Sequence, residues 1–360
     1  MKYVIDTSSS KTAYMQLYQQ LRKDIVDGIY PYGTKLPSKR LLAEESDVSV
    51  ITIEHAYSIL CDEGYVEAKQ RSGYFVIYRE SDFISTAETD FTETVHSISA
   101  SHSDSPFPFS VLSKTMRKVL LDYGESILVK SPNHGCMELR GAICAYLARS
   151  NGINVTPQQI IIGSGAEYLY SLIVQLLGKN RIFALENPSY EQIMRVYRAN
   201  GVECDLLKMG RDGIMSEELE RTEASVLHIT PFNSYPSGVT ARASKRYEYI
   251  NWAEKRNGYI IEDNYDSELT VSTKAEDTVF SLAKNNKVIY INTFSRTIAP
   301  SIRVGYMVLP KQMADEFENK LGFYSCTVPV FEQYVLAELI NNGDFERNIN
   351  RVRRQRRKNK

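Results

Sequence analysis

No stretch of this sequence approaches the roughly 18 to 20 consecutive apolar residues that a membrane-spanning helix needs, and its first residues lack the pattern of a secretory leader. None of the five cysteines, Cys61, Cys136, Cys144, Cys204 and Cys326, pairs with another as C-x-x-C. An odd, scattered set suits neither a disulfide framework nor a cysteine-based zinc site, so a reduced, cytosolic protein without a metal is expected. No internal repeat is evident. There is also no overall excess of one charge, since 43 basic and 44 acidic residues leave a net −1. That balance conceals an asymmetry. The last fourteen residues, RNINRVRRQRRKNK, carry eight Lys or Arg and no acid, leaving 35 basic against 44 acidic residues elsewhere. The tail reads as a solvated basic helix end; a nucleic-acid contact, or a helix that once continued, are the alternatives.

What is present is ordinary soluble-protein material. At 360 residues, 43% hydrophobic and 24% charged, the chain is long enough for two or three folding units with a substantial core. Residues 12–78 alternate helical and turn signals. Residues 79–105 are rich in Ser, Thr, Asp and Glu with isolated hydrophobes, the composition of a linker. From 106 to 360, short apolar runs (IIIG, RIFALE, VLHITP, YIIEDN, VIYINTF, VGYMVLP) alternate with amphipathic segments. That alternation predicts an α/β unit with a largely parallel sheet.

In the first zone, Tyr14, Leu17, Tyr18, Leu21 and Ile25 share one helical face that ends at Asp27-Gly28. Pro37-Ser38 then opens a short helix bearing Lys39, Arg40, Leu41 and Leu42, and Asp47-Val48-Ser49 leads into a third. There Ile53, Ala56, Tyr57 and Leu60 form the core face, leaving Ser49, Val50, Ile51, Thr52 and His55 outward, where a recognition helix meets a major groove. YVEAKQRSGYFVI reads as two strands joined by a wing turn at Gln70-Arg71-Ser72-Gly73.

On LPSKRLLAEE, VSVITIEHAY, LCDEGYVEA and SGYFV, in that order, the zone resembles the GntR family of bacterial repressors, winged helix-turn-helix proteins. The resemblance implies duplex-DNA contacts from Lys39, Arg40, Ser49, Val50 and Thr52 and from the wing residues Arg71, Ser72 and Gly73. Family members commonly carry Arg where this chain has Val50, and losing one Arg contact costs on the order of 1–3 kcal/mol. Residues 12–78 hold seven basic and nine acidic side chains, which leaves a winged helix serving only as a protein contact as the rival reading. Yet Lys35, Lys39, Arg40, Lys69 and Arg71 all fall on the short helix and the wing, and clustering sets the local field.

In the second zone, Gly163-Ser164-Gly165-Ala166 follows a strand and opens a helix, a place where backbone N–H groups can hold a phosphate. YIIEDNYDSEL puts Asp263 and Tyr265 at a strand's carboxyl end, where α/β proteins bind ligands. ENPSYE adds Tyr190, and ITPFNSYPSGVT adds Asn233, Tyr235 and a Pro236-Ser237-Gly238 turn. Taken singly, each is an ordinary structural feature. In this order and spacing they resemble fold type I aminotransferases, and with the GntR-like head the match is to the MocR subgroup of regulators. The resemblance implies a pyridoxal-phosphate site: Asp263 on the pyridine nitrogen, Tyr265 on the ring hydroxyl, Tyr190 stacked on the ring. Gly165, Ala166, Thr293 and Arg303 would hold the phosphate.

Two departures qualify this expectation. The loop NTFSRTIAPSIRVGY stands where the family has a T-F-S-K-T-type loop, so Arg296 occupies the place of the lysine that forms the imine with the cofactor. A guanidinium stays protonated and is a very poor nucleophile, so any pyridoxal phosphate would bind without a covalent bond and no catalytic residue is expected. The family's C-terminal small domain also has no counterpart before Lys360, making this a truncated fold type I large domain by resemblance, and Gln192 stands where some relatives carry a substrate-binding Arg. The expectation is a cytoplasmic bacterial regulator whose second domain serves as effector sensor and homodimer platform, with the effector unspecified. An aminotransferase with a DNA-binding head, and a decayed paralogue acting only by DNA binding or dimerisation, are the alternatives.

Overall fold

The computed structural model describes residues 3–6, 11–69, 72–79, 107–270, 276–284 and 287–358. The backbone divides into two units, residues 1–98 and 99–360. Most of 79–105, together with Arg71, lies outside the described residues.

The first unit is built from α1 (Ala13–Val26), α2 (Lys39–Ser46), α3 (Val50–Asp62) and a hairpin of β1 (Val66–Lys69) and β2 (Gly73–Val76). Leu17, Tyr18, Leu21 and Ile25 of α1 are buried with Leu42 of α2 and Ile53, Ala56, Tyr57 and Leu60 of α3. Burying these side chains stabilises the small unit by about 1.5–3 kcal/mol each before chain entropy is counted. Local chemistry fixes the helix starts. The Ser38 hydroxyl accepts the Leu41 N–H and the Ser49 hydroxyl accepts that of Thr52, each at 3.2 Å. Such N-caps satisfy donors that a helix start leaves open. Asp47 takes the left-handed conformation (φ 53°) that ends α2 and frees α3 to change direction. β1 and β2 pair antiparallel with Lys69 opposite Gly73, which sets the register of the hairpin.

In the second unit α4 (Phe109–Tyr123) and α5 (Met137–Asn151) precede the sheet. Then come β3 (Ile160–Gly163), α6 (Ala166–Leu177), β4 (Ile182–Asn187), α7 (Glu191–Ala199), β5 (Glu203–Lys208), α8 (Ser216–Arg221) and β6 (Val226–Ile229). The series continues with α9 (Ala243–Arg256), β7 (Tyr259–Asp263), α10 (Val279–Leu282), β8 (Val288–Thr293) and β9 (Gly305–Val308). Three helices follow: α11 (Lys311–Leu321), α12 (Val330–Asn341) and α13 (Asp344–Lys358).

The sheet order is β3-β9-β8-β7-β6-β4-β5. Pairing is parallel from β8 through to β5, whereas β9 runs antiparallel to both neighbours. Successive side chains point to opposite faces of a strand, so Ile160, Ile162, Tyr290 and Val308 join α5, α12 and α13 in one layer. Ile161, Ile289, Ile291 and Met307 join α6, α7 and α11 in the other. Helices on both faces explain why the central strands read as continuous apolar runs.

α13 differs from the solvated tail expected from composition. Phe345, Asn348, Ile349 and Val352 are buried, the Arg353 guanidinium donates to the Glu268 carbonyl at 2.5 Å, and Arg356 donates to the Leu269 carbonyl at 3.1 Å. An amphipathic helix with part of its charge turned inward covers the layer below, while Arg347, Asn350, Arg354, Gln355, Arg357 and Lys358 stay exposed. Among the described residues no helix is long and apolar enough to cross a membrane.

Candidate functional site

The DNA-type face of the first unit gathers on α2, α3 and the hairpin. Arg40 is exposed. Lys39 pairs with Glu54 of α3 at 2.7 Å, a surface ion pair that a phosphate can displace. Ser49 and Thr52 hydroxyls lie 2.9 Å apart and both serve the N-cap of α3. His55 is exposed but packs edge-on against the Tyr14 ring, with centroids 5.7 Å apart. Val50 and Ile51 are 41% and 64% exposed. On the wing, the Ser72 N–H donates to the Lys69 carbonyl, and Gly73 adopts φ 112°. A Cβ at Gly73 would lie 2.9 Å from Cε of Lys35, which places that lysine alongside the wing.

In the second unit the residues expected to hold a phosphate converge where β3, β8 and β9 end. Gly165 (φ 94°) caps α6, and a Cβ there would come within 3.1 Å of an Arg303 guanidinium nitrogen. A Cβ on Gly305 would meet Thr293 Cγ2 at 3.2 Å and the Gly165 carbonyl carbon at 3.3 Å. Backbone, Thr293 and Arg303 are thus in van der Waals reach around the helix start. The α6 N-terminus adds open N–H groups and the positive end of its dipole. Arg303 is not free: its guanidinium binds the Glu167 carboxylate at 2.7 Å. Glu167 did not stand out in the sequence, where an acid in a helix's first turn is unremarkable; its place directly after Gly165-Ala166 was the only signal.

Asp263 closes β7 and is 2% exposed. Its Oδ1 accepts the Tyr265 N–H at 3.1 Å, and its Oδ2 accepts the Tyr170 hydroxyl. Burial raises its pKa to about 6, with the bonds from Tyr170 and Tyr265 opposing the rise. Behind it, His228 has Nδ1 2.7 Å from the Tyr197 hydroxyl and Nε2 3.8 Å from Asp263, and burial pushes its pKa down to about 3. A neutral imidazole therefore backs a carboxylate that is mostly ionised at neutral pH.

The Tyr265 hydroxyl donates to the Asn233 carbonyl at 3.2 Å, and burial lifts its pKa to about 12. Tyr190, 47% exposed at the start of α7, stands edge-on to Tyr235 with centroids 6.3 Å apart. Arg296 turns to Asp266, its Nη2 3.5 Å from Oδ1, and stays about half exposed. The buried Asp266 also accepts from Asn233 Nδ2 at 2.6 Å and from Arg356 Nη1 at 3.3 Å. Neither Asp266 nor Tyr170 was singled out by the sequence: Asp266 lies within YIIEDNYDSEL beside the more prominent Asp263 and Tyr265, and Tyr170 sits in no motif. Among the described residues no group of His, Cys, Asp or Glu could hold a metal ion.

Such a molecule is a winged helix-turn-helix joined to a fold type I aminotransferase-like unit. Residues 13–76 match the model of bacterial regulatory proteins of the gntR family, and residues 103–360 match aminotransferase class I and II. The helix-turn-helix regulator YdeL of Bacillus subtilis (strain 168) is 32% identical over 96% of this chain and 77% of its own length. The probable rhizopine catabolism regulatory protein MocR of Rhizobium meliloti is 28% identical over 98% of this chain and 76% of its own. PdxR of Corynebacterium glutamicum, a pyridoxine biosynthesis transcriptional regulator, is 27% identical over 94% and 75%. Among solved structures, an archaeal alanine:glyoxylate aminotransferase superposes with a TM-score of 0.63 at 22% identity. That match covers 69% of this chain, which spans 64% of the enzyme's length, so it speaks for the fold alone. The chain belongs to the GntR/MocR-type transcriptional regulators, DNA-binding proteins with an aminotransferase-like domain.

Proposed function

We propose that this regulator uses its second unit to bind pyridoxal phosphate, or a close phosphorylated relative, without a covalent bond, and to hold two copies together on DNA. The observation that carries the reading is the convergence of Gly165, Thr293 and Arg303 around the α6 start, with Asp263 buried at the adjoining strand end. These residues fit the group. The amides and Arg303 suit a phosphate, and the φ of 94° at Gly165 favours the glycine found there. Asp263, ionised at neutral pH, suits a protonated ring nitrogen.

Pyridoxal phosphate, when bound, supplies an electron-poor ring and an aldehyde. The chain's own part is binding and orientation. Asp263 fixes the ring nitrogen, Tyr265 the ring hydroxyl, and Tyr190 covers one face. Arg296, still protonated and pulled toward Asp266, neither attacks the aldehyde nor carries a proton between positions. The unit is therefore a sensor and not a transaminase. PdxR, named for pyridoxine biosynthesis, makes a vitamin B6 compound a sensible effector class.

A second reading has an observation of its own. Arg303 is already bound by Glu167, and Asp263 by Tyr170, so both ligand-facing charges are satisfied by the chain itself. On that reading the unit is only a dimer scaffold. The test is a titration of the purified chain and of Arg296→Lys with pyridoxal phosphate, followed by absorbance and by borohydride fixation at residue 296. The sensor reading expects weak reversible binding by the native chain, and in the variant tighter binding with mass fixed at residue 296. A variant that stays colourless at saturating cofactor leaves the scaffold.

A further inference from the structure

The first turns of α3 raise a chemical question about the surface that meets DNA. The hydroxyls of Ser49 and Thr52 lie 2.9 Å apart, and Ser49 also takes the Thr52 N–H. Glu54, one turn on, is tied to Lys39, and His55 lies against Tyr14. The polar side chains of the turn thus already have partners within the protein. Two exposed side chains of the turn are aliphatic and have no polar contact to make: Val50 at 41% and Ile51 at 64% exposure. Neither can donate or accept a hydrogen bond, so neither can read the N7, O6 or N6 groups of purines. The one apolar group that a base pair presents in the major groove is the C5-methyl of a pyrimidine, which in unmodified DNA belongs to thymine.

We propose that Val50 and Ile51 determine sequence specificity by packing on thymine C5-methyl groups in each half-site. The inference rests on the DNA-binding assignment and deepens it, replacing the hydrogen-bonded guanine contact that an arginine at position 50 would make with an apolar one. The energetic source is removal of methyl and side-chain surface from water, so the discrimination is modest per base and insensitive to salt. Affinity itself comes from phosphate contacts such as that of Arg40 and is lost as salt rises. Base choice and salt dependence therefore separate cleanly, and this allows a test that a merely structural role of the two residues would not pass.

The full chain is used to select duplexes from a random synthetic library, which contains no 5-methylcytosine. The selected duplex is then remade with deoxyuridine in place of thymine at each half-site position in turn. That change deletes the methyl and keeps the Watson–Crick edge. Selection should enrich thymine at adjacent positions of each half-site, and each methyl removed should weaken binding on the order of three- to fivefold. Val50→Ala with Ile51→Ala should bind the thymine and deoxyuridine duplexes alike while keeping the native salt slope. Val50→Thr, close in shape, keeps one γ-methyl and serves as a fold control that retains part of the thymine preference. If deoxyuridine binds as well as thymine in the native chain, the inference falls while DNA binding stands. If no duplex is enriched, the DNA-binding assignment fails and takes the inference with it. If the double variant loses self-association and keeps its base preference, the patch is a protein contact and the inference is wrong.

Discussion

Glu167 and Arg40 are the side chains on which the proposed ligand and DNA contacts can be tested singly. The Glu167 carboxylate lies against Arg303 beside Gly165, where a ligand phosphate would place its own charge. A bound dianion must displace or tolerate it. Glu167→Gln should therefore strengthen binding of pyridoxal phosphate, by roughly three- to tenfold for a partly exposed like charge at effective dielectric constants near 20 or above. Isothermal titration at low and high salt checks this, because the difference should shrink as salt screens the repulsion. An unchanged affinity would mean that Arg303 does not hold the phosphate. Arg40 is exposed on α2. Its replacement by Ala should weaken binding to all duplexes alike and lower the slope of log affinity against log salt by about one. A change in base preference with an unchanged slope would contradict a phosphate role.

At the level of elements, Glu262 of β7 fastens the short helix α10. Its two oxygens accept the N–H groups of Val279 at 2.9 Å and Phe280 at 2.7 Å. Burial raises its pKa to about 7 despite those donors, and Glu186 and Glu268 are likewise pushed up to about 7. A carboxyl raised in the folded chain contributes stability below its unfolded value near 4.5, and that contribution is lost as pH rises through 7. His228 runs the other way, its contribution present above about 6.5 and lost as pH falls toward 3. Glu262→Gln isolates one group: it should cost about 1–3 kcal/mol near pH 5.5, by leaving one buried N–H without an acceptor. Near pH 8 the cost should be smaller, because the native carboxylate there carries the burden of burial. Denaturant unfolding of both proteins at the two pH values would show it.

Elements also mark what the sequence disclosed. β3, β4, β6, β7, β8 and β9 were legible as apolar runs because helices cover both sheet faces. β5 was not, since its residues ECDLLK mix buried and exposed positions at the sheet edge. The antiparallel direction of β9 was also hidden, as a run of apolar residues carries no orientation. Asp263, Tyr265 and Arg303 were reached through motif resemblance. Tyr170 and Glu167 were missed because their roles arise only when α6 is packed on the sheet, and Asp266 because its partners Asn233, Arg296 and Arg356 are distant in sequence.

For the whole molecule the open question is assembly. α4 and the turn after it leave Phe109, Leu120, Leu121, Leu128 and Val129 between 49% and 84% exposed. A concentration of large apolar groups of this kind marks a contact surface more often than free solvent exposure. We propose a homodimer through this unit, which would offer two recognition helices to two half-sites. Sedimentation should give a dimer at tens of micromolar, a range set by ordinary dimer affinities. Leu121→Glu should shift it toward monomer and weaken binding to paired half-sites more than to a single one.

The position of β9 has a consequence in time. Among the described residues β3 pairs with β9 alone, and β9 arrives in the sheet from roughly 140 residues further along the chain. At a synthesis rate of about 5–20 residues per second, Ile160, Ile161 and Ile162 emerge from the ribosome and wait about seven to thirty seconds for their hydrogen-bonding partner. During that interval the nascent chain carries an unmatched, wholly apolar strand edge. The nascent chain is therefore exposed to adhesion at this edge during synthesis, and slow translation between β3 and β9 would prolong the exposure.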